Sequence, residues 1–134
     1  MATHWQSYRG GPTRAAIDVV IISISRKRVI TLNRAAMKML GAPDAVRLLF
    51  DEKNSVIGVS KSSRLNTEAF PVRPKNDTNW VINAAPFCRH FKISPDSTER
   101  FDEPELDDEG ILRLDLKRTH DASLRKRAVN QAAG

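Results

Sequence analysis

The stretch from Arg26 to Ser60, RKRVITLNRAAMKMLGAPDAVRLLFDEKNSVIGVS, constrains the fold more than any other part of the chain, because it reads as one complete β-α-β-β unit. Val29 to Leu32 are β-branched or aliphatic and favour an extended strand. Asn33 is a residue type that caps the free N–H groups opening a helix, so helix should follow strand directly. Within Arg34 to Leu40 the apolar residues Ala36, Met37 and Leu40 share one face. Gly41 then suits a left-handed stop and Pro43 forbids continuation, which keeps this helix short. Val46 to Phe50 and Val56 to Ser60 flank Asp51, Glu52, Lys53 and Asn54, the chemistry of a hairpin with a polar turn.

The pattern returns about 51 residues later. Val81 falls on Ile30, Phe87 on Ala36, Cys88 on Met37 and Phe91 on Leu40, and a second Phe-Asp-Glu at Phe101 to Glu103 falls on Phe50 to Glu52. Four extra residues in the turn PELDDEG then bring Ile111, Leu112 and Leu114 onto Val56, Ile57 and Val59. Small β-α-β-β units cannot each bury an apolar face alone, and interlocking solves that problem. The expected class is therefore α+β and β-rich, with repeats at about 26–60 and 79–116 interlocked in one pseudo-twofold, small barrel-like domain. Period places Ile17, Val19, Ile21, Ile30, Leu32, Leu40, Leu48, Phe50, Ile57, Val81, Phe87, Phe91, Leu112 and Leu114 in its core.

Around these repeats, residues 1–14 mix Trp5 and Tyr8 with Gly10, Gly11 and Pro12 and read as a flexible arm. Ala16 to Ser25, AIDVVIISIS, is continuous enough to be a strand buried on both faces, and the single domain spans residues 15–117. Lys61 to Glu68 is turn-rich, and Pro71 and Pro74 bracket an extended linker suited to pairing at a sheet edge. Residues 118–134 read as a basic tail. The longest apolar run, Val19 to Ile24, is far short of the ~20 residues of a membrane span. With no apolar leader at the N-terminus and one cysteine, a cytoplasmic location with no membrane partner is expected.

Net charge is +6, and its distribution is uneven. Residues 1–100 carry sixteen Lys and Arg against eight Asp and Glu, residues 101–117 carry two against seven, and residues 118–134 carry four against one. A basic chain attracts polyanions, nucleic acid first. Arg26, Lys27, Arg28 and Arg34 gather near the start of the first helix, with Lys38 on that helix. Arg73, Lys75, Arg89 and Lys92 are their counterparts around the second. Clustered cations beside a helix start suit DNA phosphates, with arginine able to read base edges; the same residues also fit a solvated strand end.

No constellation asks to be an active site. Serine lacks a nucleophile elbow, no glycine-rich phosphate loop is present, and Asp51 with Glu52 is explained by a turn. His4, His90, His120 and Cys88 have no zinc spacing, and Cys88 reads as core. The acidic run Asp102 to Glu109 is broken by Pro104 and Leu106 and lacks the alternation of a calcium loop, so it reads as a solvated turn. No metal, no cofactor and no catalysis are expected.

The segment RVITLNRAAMKMLGAPDAVRLLFDEKNSVIGV resembles the swapped-hairpin domain of AbrB-type transcription regulators. Arg28 to Leu32 matches that family's first strand, Asn33 stands where the family usually has proline, and Leu40 with Gly41 matches its helix end. Two copies in one chain resemble the arrangement of MraZ-type regulators. In the second copy Lys92 replaces the glycine; in the first, Lys27 and Arg28 stand where a glycine-arginine pair usually precedes the first strand. The resemblance implies a non-enzymatic transcription regulator that binds duplex DNA, with homo-oligomers possible. The competing expectation is a protein-interaction or assembly module of the same fold, separable from the first by salt dependence.

Overall fold

The computed structural model describes residues 19–122. The expected arm, Ile17 and the distal tail lie outside them. Among the described residues, eleven strands form two antiparallel sheets and pack with two helices around one core. The chain runs β1 (Ile22–Ile24), β2 (Val29–Asn33), α1 (Arg34–Leu40), β3 (Ala45–Asp51), β4 (Val56–Ser62), β5 (Phe70–Pro71) and β6 (Arg73–Pro74). It continues with β7 (Asn79–Asn83), α2 (Ala85–Phe91), β8 (Glu99–Phe101), β9 (Glu105–Leu106), β10 (Ile111–Asp115) and β11 (Thr119–Asp121). One sheet has the order β11-β8-β1-β2-β7-β6 and the other β5-β3-β4-β10-β9. No helix among the described residues is long and apolar enough to cross a membrane.

The first helix forms as its sequence dictates. Asn33 Oδ1 accepts from the Ala36 N–H at 3.0 Å, satisfying one of the unpaired donors of the opening turn. The same oxygen accepts from the Ile21 N–H at 3.1 Å, and Asn33 Nδ2 donates to the Val19 carbonyl at 2.6 Å. One side chain thus caps α1 and pins the segment entering β1. Gly41 ends the helix in the left-handed region at φ 93°. Fifty-one residues on, α2 has the same length, and Lys92 takes up the same left-handed stop at φ 60° without glycine's freedom.

Strand register carries the correspondence further. Ser23 opposite Thr31 in β1–β2 becomes Arg73 opposite Val81 in β6–β7 when both numbers rise by 50. Between the two pairs, β2 meets β7 with Thr31 opposite Val81. In the other sheet β10 lies along β4, with Gly58 opposite Arg113 at the centre. The helices correspond at 51 and these strands at 50, so the second copy holds one additional residue before its helix. Ala84, fully buried, occupies that place.

This extra residue corrects the expected alignment of Val81 with Ile30. Ile82 is fully buried, while Val81 is half-buried. A similar slip affects the first strand: Ile22 and Ile24 point into the core, Val19 is 49% exposed and Ile21 half-buried. With a period of two, an error of one residue exchanges the faces. Ile30, Leu32, Leu40, Ile57, Phe87, Leu112 and Leu114 are buried as expected, whereas Leu48, Phe50 and Phe91 pack partly buried against them.

The sheets are open, not closed into a barrel. The second Phe-Asp-Glu does not reproduce the first hairpin either. Phe50 lies in β3 and pairs with Ile57 of β4, while Phe101 lies in β8, in the opposite sheet, between β1 and β11. β8 covers an edge of β1 that would otherwise present unpaired backbone groups. Residues 119–121, assigned from sequence to the tail, form β11 on β8. The proline-bracketed linker does pair at edges: β5 joins β3 in one sheet, β6 joins β7 in the other, and buried Val72 sits at the crossing.

Candidate nucleic-acid interface

The β2–β7 ladder separates eight of the nine candidate cations into two groups. At one end, a tight turn carries Arg26 and Lys27 between β1 and β2, closed by the Arg28 N–H donating to the Ser25 carbonyl at 2.8 Å. The Ser25 hydroxyl also accepts from the Val29 N–H at 3.2 Å. α2 begins beside this turn, since the Ala84 N–H donates to the Arg28 carbonyl at 3.0 Å, and it bears Arg89 and is stopped by Lys92. At the other end, Arg34 and Lys38 lie on α1 and Lys75 in the turn that enters β7, while Arg73 on β6 lies opposite Val81, at the middle of β7. That turn is organised by Asn76 Oδ1, which accepts from the N–H groups of Thr78 and Asn79, both at 2.9 Å. A five-residue strand sets the two ends roughly 16 Å apart.

Eight of the nine are exposed and Arg28 is half-buried. Two are already occupied. Arg28 Nε donates to the Ile93 carbonyl at 3.1 Å and its Nη2 to Ser94 Oγ at 3.4 Å, so this guanidinium closes the end of α2. Arg34 Nη2 donates to the Asp77 carbonyl at 3.0 Å. The four cations expected to act together near the first helix are therefore split across the ladder. Sequence proximity misled because a strand of five residues lies between Arg28 and Arg34.

Lys61 was missed by sequence reasoning. A Cβ placed on Gly41 would lie 3.5 Å from Lys61 Cδ and 3.7 Å from its Nζ, so this ammonium lies over the end of α1, where a helix favours positive charge. No spacing signal links residues twenty apart on a helix stop and a strand.

None of the nine candidates is in an ion pair among the described residues. Ion pairs there include Lys117–Asp115 at 3.1 Å and Arg118–Glu103 at 2.8 Å, with His120 Nδ1 lying 2.6 Å from Asp102 Oδ1, all toward the C-terminal strands. The acidic run is built into a turn by Asp107, whose Oδ1 accepts from the N–H groups of Glu109 and Ile111, each at 2.9 Å. Gly110 supplies the positive φ of 79° that this turn needs. The acidic run and these ion pairs thus lie on the C-terminal strands and turns, and none of the pairs involves a candidate cation.

Cys88 lies in α2, fully buried, and burial pushes its thiol up, against the opposing charge of Arg28. It packs as a small apolar group. Comparison with family models, with curated proteins and with solved structures finds no match to this chain.

Proposed function

We propose that this chain is a non-enzymatic DNA-binding transcription regulator that contacts duplex DNA through the cations at the two ends of the β2–β7 ladder. The observation that carries this reading is that eight exposed candidates hold no carboxylate partner among the described residues, while the ion pairs gather near β8 to β11. Cations without internal partners are free to replace counterions condensed on a duplex. In this reading the two β-α-β-β units interlock about a local dyad through Thr31–Val81 and Gly58–Arg113, as in an AbrB-like or MraZ-like arrangement, and the dyad presents the cations twice. Arg26, Lys27, Arg89 and Lys92 act at one end, Lys38, Lys75 and Arg34 at the other, and Arg73 beside the middle of the ladder. Arg28 positions the first group.

Fluorescence anisotropy with a random-sequence duplex at two salt concentrations tests it. Affinity should fall steeply with salt, and no binding at low salt would overturn the reading. The second reading, an assembly or protein-interaction module, is favoured by the open sheets and by Leu65, 94% exposed on a turn held by Ser63 and Asn66. Self-association or partner binding that is insensitive to salt would support that alternative.

A further inference from the structure

A cleft of about 780 Å³ opens between the end of α2 and the last strands, away from the β2–α1 end of the ladder. Its apolar wall is formed by Ile24, Phe50, Phe91 and Leu116. The rings of Phe50 and Phe91 sit 5.0 Å apart between centroids, and Phe87 supports Phe91 from behind at 5.1 Å. Volume and lining suit a small organic molecule.

The polar side of the cleft is unbalanced. Glu99 lines it half-buried, with Oε1 accepting from Thr119 Oγ1 at 2.8 Å and Oε2 facing Ser97 Oγ at 3.0 Å. The Thr119 hydroxyl thus orients this carboxylate, the single Ser97 hydroxyl is shared between it and Asp121 Oδ2 at 2.6 Å, and no cation pairs with Glu99 among the described residues. Glu52 and Asp96 add two further carboxylates at the rim, against Lys92 and His90. A carboxylate fixed beside aromatic rings, without a counter-charge, is complementary to a cation that brings its own apolar body.

We infer that this cleft binds a small organic cation, a primary or substituted ammonium carrying an aromatic or branched alkyl group. The ammonium donates to Glu99 and the apolar body lies against Phe50 and Phe91. Arg28 ties the loop after α2, which lines the cleft, to the β1–β2 turn through the Ile93 carbonyl. This site goes beyond the DNA reading and does not depend on it.

The test uses the full chain without DNA, so its failure is distinct from failure of DNA binding. Protein observed by 15N NMR is titrated with 2-phenylethylamine, methylamine and 3-phenylpropanoate. Shifts are expected for the amides of Glu99, Ile93 and Leu116 with phenylethylamine, at least about tenfold weaker binding for methylamine, which lacks the apolar body, and none for the carboxylate. Glu99→Gln should weaken phenylethylamine binding by about tenfold or more by removing the charged acceptor. Equal binding of phenylpropanoate, shifts confined to other regions, or no response to phenylethylamine at millimolar concentration would each overturn the inference. If Glu99→Gln fails to fold, Asp96→Asn at the exposed rim serves instead, with a smaller loss expected and an unchanged affinity counting against the electrostatic match.

Discussion

Arg28 reaches across sixty-five residues to Ile93, with Nε donating to the backbone carbonyl at 3.1 Å while its own backbone sits at φ 66°. One residue therefore closes the β1–β2 turn, in a conformation that L-residues disfavour, and secures the end of α2. Arg28→Ala should cost about 1–2 kcal/mol, because the Ile93 carbonyl loses a donor and the backbone strain stays. Arg28→Gly loses the same bonds and relieves the strain, so it should recover roughly 1 kcal/mol of that cost. Denaturant midpoints for the two variants check this, and an alanine variant as stable as the glycine variant would contradict it.

Lys92 invites the opposite experiment. It stops α2 at φ 60° where Gly41 stops α1 at φ 93°, and it is exposed. Lys92→Gly should raise stability by about 1 kcal/mol, since only backbone strain is removed. Gly41→Ala should lower it by a similar amount. Thermal melts of both proteins read the two signs directly.

Gly58 tests how tightly β4 is held between its neighbours. A Cβ at this position would meet Ile111 Cγ2 at 3.0 Å and Leu49 Cβ at 3.4 Å. Gly58→Val should destabilise by about 1–3 kcal/mol through overpacking. Adding Ile111→Ala removes the methyl it strikes, so the double variant should lose less than the two singles added together. Additive losses in a double-mutant cycle would place the strain elsewhere.

For DNA binding, the informative variant replaces Arg26, Lys27, Arg89 and Lys92 with alanine and spares Arg28. The slope of log affinity against log salt should flatten by roughly 0.9 for each phosphate that is no longer neutralised. Stability should change little, since exposed charges contribute roughly 0–1 kcal/mol each. Arg118→Ala, which breaks the pair with Glu103, should leave the slope unchanged. A quadruple variant with the wild-type slope would transfer the function to the assembly reading.

Asp51 makes the pH prediction. Its carboxylate accepts from Asn54 Nδ2 at 2.8 Å and from the Asn54 N–H at 3.2 Å, and these bonds hold its pKa below the usual carboxylate range. Because the folded value is depressed, the stability it contributes is present above the unfolded pKa and is lost as pH falls through the folded one. Asn54→Ala should move the Asp51 titration upward toward the ordinary range in a 13C-detected NMR experiment. An unmoved titration would mean that the turn's backbone alone sets it.

Local chemistry was the legible part of this chain. Asn33, Gly41 and the Ala36–Met37–Leu40 face define α1 to the residue, and Phe87 and Cys88 mark the buried face of α2. What failed were relations that depend on one residue of parity or on which sheet receives a strand. Ala84 shifts the strand offset to 50, so that Val81 corresponds to Thr31 and Ile82 to Leu32, and Phe101 enters the sheet opposite to Phe50, although both segments look alike as strings. The candidate cations were named from sequence, but their division across the ladder was not, because it follows from pairing partners fifty residues apart. The cleft was invisible for the same reason, being assembled from Ile24, Phe50, Phe91, Glu99 and Leu116.

The pairing of β4 with β10 also sets a timetable for synthesis. Val56 lies opposite Asp115, and at roughly 5–20 residues per second a ribosome needs about 3–12 s to make the intervening chain. β1 likewise waits for Glu99 and Arg100 before its second edge is covered. Once β5 and β7 have paired, two edges that the finished fold covers are still open, on β1 and on β4, and such edges are templates for joining another chain. A transcript truncated anywhere before Asp115 would therefore yield an aggregation-prone fragment and not a smaller working domain, and chaperone capture of the nascent chain should peak before that codon is read.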